Sequence, residues 1–188
     1  MTEPGTVIVV NGTPRSGKSS IAREIQESFP GTWINLGVDS SRLSTPPHAQ
    51  PGIGLRPDEP THPAAPFVPV LYRALWESIA AHARLGLNVV ADVGLYDRTI
   101  AEDATRRLAG LRVLFVGARC AVEVVLERRR ASPDGYATDR EPAERWEKHV
   151  HALWAYTLEV DTSRMTAAEC AADIRKALET APSATFLA

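Results

Sequence analysis

Val7-Ile8-Val9-Val10-Asn11-Gly12-Thr13-Pro14-Arg15-Ser16-Gly17-Lys18-Ser19 is the stretch that decides the fold. Its first five residues are an apolar run closed by one asparagine, which reads as a strand of a parallel sheet covered on both faces. Its last eight are a complete G-x-x-x-x-G-K-[ST] phosphate-binding loop. Ser20 to Glu27 then place Ile21 and Ile25 on one face of a helix. Strand, loop and helix stand in the order that a nucleoside-triphosphate site requires. Gly12 and Gly17 let the backbone curl so that N–H groups around Thr13, Pro14, Arg15 and Ser16 point at a β-phosphate. The helix start at Lys18, Ser19 and Ser20 adds partial positive charge. Lys18 reaches the β- and γ-phosphates, and Ser19 offers its hydroxyl to Mg²⁺.

Working outward, 188 residues suffice for one α/β domain, 1–188, with no second domain required. The 21 basic and 23 acidic residues give a net charge of −2, which argues against a nucleic-acid or membrane partner held by bulk electrostatics. No apolar run approaches the roughly 18 residues of a membrane span and no secretory h-region is visible, so a cytoplasmic protein is expected. Cys120 and Cys170 are the two cysteines, without C-x-x-C spacing, which speaks against zinc or a disulfide framework. Cys170 shares a helical stripe with Ile174 and Leu178 and reads as core.

The chain alternates strand and helix. Strands are expected at 33–38, 88–92, 112–117 and 157–160, with helices near 70–84, 100–109, 121–130 and 143–156. A closing helix follows the capping box Thr166-x-x-Glu169. Five apolar strands separated by helices describe a parallel five-stranded sheet with helices on both faces. Ligands of such sheets sit beyond the carboxyl ends of the strands. Asp39 follows the second strand and Asp92 ends the third, so both belong to the edge that carries the phosphate loop. Asp92 has the form of the acidic residue that holds Mg²⁺ in phosphate-loop proteins; the alternative is a cap on the next turn. Asp39 suits a carboxylate that orients an acceptor hydroxyl and takes its proton, and it equally suits a helix N-cap. Spacing alone does not choose.

Asn11 to Ser19, Gly37-Val38-Asp39-Ser40, Val116-Gly117-Ala118-Arg119-Cys120 and Leu158-Glu159-Val160-Asp161-Thr162-Ser163 with Glu169-Cys170 resemble, in order and over nearly the whole chain, the chloramphenicol phosphotransferase family. The resemblance implies a shikimate-kinase-like P-loop kinase fold and ATP- and Mg²⁺-dependent phosphotransfer to a hydroxyl of a small molecule, possible antibiotics included. It implies that Asp39 is the general base, beside Lys18. The family's lid arginines are matched only in part: Arg128 has a counterpart, whereas Arg129, Arg130 and Arg140 are substitutes by position. Arg73 matches a further arginine of the family and is by that match a candidate for binding acceptor or phosphate.

A lid near 128–140 is expected from these arginines and the turn formers Pro133, Asp134 and Gly135. Residues 44–69 hold eight of the 14 prolines and are expected to drape over the acceptor side of the cleft. Tyr72 and Trp76, at helical spacing, suit either a pocket wall or ordinary core. The function expected is an alcohol phosphotransferase. Its rivals are a regulatory NTPase without an acceptor and a kinase of a nucleoside, sugar acid or other metabolite. The oligomeric state is not legible.

Overall fold

The computed structural model describes residues 3–50, 64–131, 140–183 and 186. Five parallel strands, β1 (Thr6–Asn11), β2 (Trp33–Asn35), β3 (Asn88–Val93), β4 (Arg112–Arg119) and β5 (Leu158–Asp161), form one sheet in the order β2-β3-β1-β4-β5. The helices are α1 (Lys18–Ser28), α2 (Val38–Leu43), α3 (Val68–Arg84), α4 (Arg98–Arg107), α5 (Val122–Arg130), α6 (Arg140–Val150) and α7 (Ala167–Thr180). The expected parallel α/β sheet is the fold observed.

Its two faces explain why β1 is apolar throughout rather than alternating. Val7 and Val9 enter a core with Trp76 and Ile79 of α3, Ala101 and Ala104 of α4, and Phe115 of β4. Ile8 and Val10 enter the opposite core with Ile21 and Ile25 of α1 and Cys170 and Ile174 of α7. Both faces are covered, so consecutive side chains are all buried. The register sets Val10 beside Asp92 of β3 and Asn11 beside Gly117 of β4, which aligns three strand ends at the start of the phosphate loop.

Several boundaries differ from expectation. The second strand stops at Asn35, and Val38 already begins a helix. Asp39 is therefore the second residue of α2, so the N-cap reading of Asp39 does not hold. The cap ahead of α4 is Asp97, whose carboxylate accepts from the Thr99 and Ile100 backbone N–H groups at 2.8 and 3.2 Å. Asp92 lies inside β3 and is not the cap of α4. The Thr166–Glu169 capping box forms as expected on α7. Of the proline-rich stretch, the described ends are single 3₁₀ turns at Pro47–Ala49 and Ala65–Phe67. Its middle, 51–63, and the turn-forming part of the expected lid, 132–139, lie outside the described residues.

Candidate active site

The loop after β1 takes the shape that its glycine spacing calls for. Arg15 has φ 73° and Gly17 has φ 91°, both in the left-handed region. This alternation of hand turns successive N–H groups to one side and makes an anion cradle. Within it, the Ser16 N–H donates to the Thr13 carbonyl at 3.0 Å, and the Lys18 ammonium donates to the same carbonyl at 2.8 Å. The Ser16 hydroxyl is buried with no protein partner among the described residues. An orphaned hydroxyl costs free energy unless a ligand meets it, so the cradle fits a phosphate oxygen.

The lysine gathers the carboxylates of this sheet edge. Desolvation in the loop pulls the Lys18 ammonium down to about 8, while Asp92, Asp39 and Glu147 act in the opposite sense. Asp92 is buried and accepts a hydrogen bond from the Ser19 hydroxyl at 2.6 Å. Its carboxylate packs so closely on Gly37 that a methyl group there would lie 2.7 Å from the Asp92 Cγ. Asp39, two residues further on, is exposed in the first turn of α2.

Arg128 reaches the loop from α5. Its guanidinium donates to the Thr162 carbonyl at 2.6 Å, to the Thr162 hydroxyl at 3.3 Å and to the Arg15 carbonyl at 3.4 Å. Thr162 in turn donates its hydroxyl to the Ser16 carbonyl at 2.6 Å. Thus Lys18, Ser19, Asp92 and Asp39 lie around one loop, and Arg128 touches it at Arg15.

Other expected residues are elsewhere. Arg73 lies on the α3–α4 surface, its Nε 3.8 Å from Asp103. Arg140 is engaged by Glu123 at 2.6 Å and Glu144 at 2.9 Å, a surface network between α5 and α6. Arg130 is exposed and Arg129 is buried in the packing of α5. Trp76 is fully buried core, while the Tyr72 hydroxyl donates to the Gly94 carbonyl at 3.2 Å.

Sequence reading missed the polar layer behind the loop. Glu147 of α6 accepts a hydrogen bond from the Thr13 hydroxyl and lies 3.3 Å from His151 Nε2. His151 Nδ1 is 2.7 Å from the Tyr156 hydroxyl, which accepts from Asn11 at 2.9 Å. Burial alone would raise the Glu147 carboxyl, but His151, Thr13 and Arg119 together hold it below its ordinary value. The available signal was a Glu and a His at i, i+4 near the end of a helix, together with an asparagine closing an otherwise apolar strand.

Residues 5–179 match the family described as chloramphenicol phosphotransferase-like protein. The chain belongs to that family. It is a P-loop kinase of small molecules by fold and family. A provisionally named O-phosphotransferase of Mycobacterium tuberculosis strain H37Rv is 27% identical, over 95% of this chain and 84% of its own length. Among solved structures, the M. tuberculosis APS kinase CysC in complex with AMPPNP and APS is similar at TM-score 0.68 and 19% identity, covering 95% of this chain and 99% of its own. A sugar kinase from Janibacter sp. HTCC2649 is similar at TM-score 0.65 and 20% identity, covering 95% of this chain and 97% of its own. Among the described residues, no helix is long and apolar enough to cross a membrane.

Proposed function

We propose that this protein transfers the γ-phosphate of ATP to a hydroxyl group of a small molecule, with Asp39 as the base that orients the hydroxyl and receives its proton. The observation that carries the reading is that two carboxylates, Asp92 at the end of β3 and Asp39 in the first turn of α2, both act on the charge of the phosphate-loop lysine, beside the Ser19–Asp92 bond. Phosphoryl transfer asks the protein for positioning and charge more than for covalent chemistry. The loop N–H groups, the Ser16 hydroxyl and Lys18 would hold the phosphates, and Arg128 would brace the loop directly at Arg15 and through Thr162.

Ser19 and Asp92 suit magnesium, which takes one or two protein ligands and completes its shell with phosphate oxygens and water. Magnesium there would neutralise charge on the phosphate oxygens. Asp39 is exposed, as a base that must meet a diffusing acceptor has to be. When the hydroxyl oxygen bonds to the γ-phosphorus, the bond to the bridging oxygen of ADP breaks and the hydroxyl proton passes to the Asp39 carboxylate.

An antibiotic of the chloramphenicol kind is the acceptor that the family name suggests, and the use of ATP fits a cytoplasmic setting. Asp39→Asn tests the chemistry. It keeps shape and hydrogen bonding but cannot take a proton, so acceptor phosphorylation falls about 100-fold or more while ATP affinity changes little. The acceptor is found first, by screening hydroxylated compounds for ADP release above the ATP-only rate. Activity of Asp39→Asn within a few-fold of wild type would remove Asp39 from the reaction.

A further inference from the structure

Thr13 is the hub of the phosphate loop. Its carbonyl holds both the Lys18 ammonium and the Ser16 N–H, so the orientation of this one residue sets two of the groups that face a phosphate. A threonine side chain does not fix its own backbone. Here the hydroxyl is bound to Glu147, a residue separated from it by most of the chain, and Thr13 is itself buried.

Glu147 is fixed in turn. His151 faces its other carboxylate oxygen at 3.3 Å, and the Tyr156 hydroxyl and the Asn11 side chain continue the line back to the end of β1. Asn11 adds a contact to the Val150 carbonyl at 2.9 Å at the end of α6, and its carbonyl oxygen accepts from the Leu95 N–H at 2.7 Å. His151 Nε2 is a close neighbour of the carboxylate rather than a well-directed hydrogen-bond donor, while Nδ1 stands 2.7 Å from the Tyr156 hydroxyl, which also reaches the Val150 carbonyl at 3.1 Å. Partners that are themselves bonded hold a group in one place.

We infer that Glu147 is a positioning residue of the nucleotide site, acting through the Thr13 hydroxyl to hold the phosphate loop in register with α6. The inference rests on the reading of the loop as an ATP site, and it is independent of the acceptor and of Asp39. It separates two effects of the carboxylate. Its charge opposes phosphate binding nearby, whereas its hydrogen bond supports it. Glu147→Gln and Glu147→Ala both remove the charge, but only glutamine still accepts from Thr13.

The experiment measures AMPPNP affinity with Mg²⁺ by calorimetry for Glu147→Gln and Glu147→Ala, each in the native and the Thr13→Val background. In the native background the alanine variant should bind about tenfold more weakly than the glutamine variant, the scale of one charge-free buried hydrogen bond and the order it leaves behind. In the Thr13→Val background the two should agree within about twofold. A tenfold ratio that survives Thr13→Val overturns the inference, since Glu147 would then act by another route. Equal affinities in the native background overturn it as well. If Glu147→Ala does not fold, Thr13→Val against Thr13→Ser decides: serine should bind like wild type and valine about tenfold more weakly, and equality refutes the role. A wild-type protein that does not bind AMPPNP at all would instead strike the ATP-site reading itself.

Discussion

Replacing Gly37 by alanine perturbs the site without touching a group that contacts nucleotide. The added Cβ would stand 2.7 Å from the Asp92 Cγ and 2.9 Å from the Asp92 carbonyl oxygen. It would fall closer still to the Asp92 Oδ1, and since non-bonded atoms pack at about 3.5–4.0 Å, the carboxylate must swing out of its present position altogether. The Ser19–Asp92 bond of 2.6 Å then stretches beyond the range of a hydrogen bond. Overpacking costs about 1–3 kcal/mol of stability, and losing a hydrogen bond to a charged group costs about 1.5–3 kcal/mol at the proposed magnesium position. The second figure corresponds to at least a tenfold loss of affinity. The assay is thermal stabilisation by AMPPNP in Mg²⁺ and in EDTA, extrapolated to dissociation constants. Gly37→Ala should lose its magnesium-dependent increment while keeping most of its binding in EDTA. Gly110→Ala serves as control: its φ of 79° adds a backbone strain that Gly37 does not carry, yet nothing lies within 4 Å of the new methyl group. A Gly37→Ala protein with the wild-type magnesium increment would refute both the contact argument and the pairing of Ser19 with Asp92 as a metal site.

Two further outcomes follow from the geometry. Lys18 sits at about 8 in the folded protein against an ordinary 10.5, so between those values the unfolded chain binds more protons and stability rises with pH across that window. Phosphates restore the charge, so AMPPNP binding near pH 8.5, about the middle of the lower half of that window, should take up part of a proton and weaken as pH rises. Calorimetry in buffers of different ionisation enthalpy measures this, and zero uptake would exclude a depressed Lys18. Phe186 is buried against Phe115, ring centroids 4.5 Å apart, and Trp76, 6.2 Å apart. Phe186→Ala should cost about 3–5 kcal/mol in urea unfolding with AMPPNP affinity unchanged; a loss under about 1 kcal/mol would mean that this ring contributes little to the core.

What was legible in the sequence is what short-range pattern encodes. β1, the phosphate loop and the start of α1 are contiguous, and each local preference there agrees with the next. Asp92 was found because strand ends in a parallel sheet share one edge. The early end of β2 was not found, because it follows from Gly37 lying against Asp92, a contact across some fifty-five residues of chain. Arg73 was misplaced for a related reason: helical spacing gives a face, but only packing on α4 says where that face looks. The Glu147–His151–Tyr156 chain was invisible because its members meet Thr13 and Asn11 only after α6 has docked.

The two ends of the sheet have a consequence for behaviour in bulk solution. The interior strands run six to eight residues, whereas the outermost strands, β2 and β5, run three and four. An outer strand offers a row of unpaired backbone groups on which another chain can add, and brevity is one way to blunt that invitation. A visiting strand would gain only a few backbone bonds at either side. The sheet is thus closed to growth by the shortness of its margins, and clumping of the native protein through strand addition is disfavoured by construction.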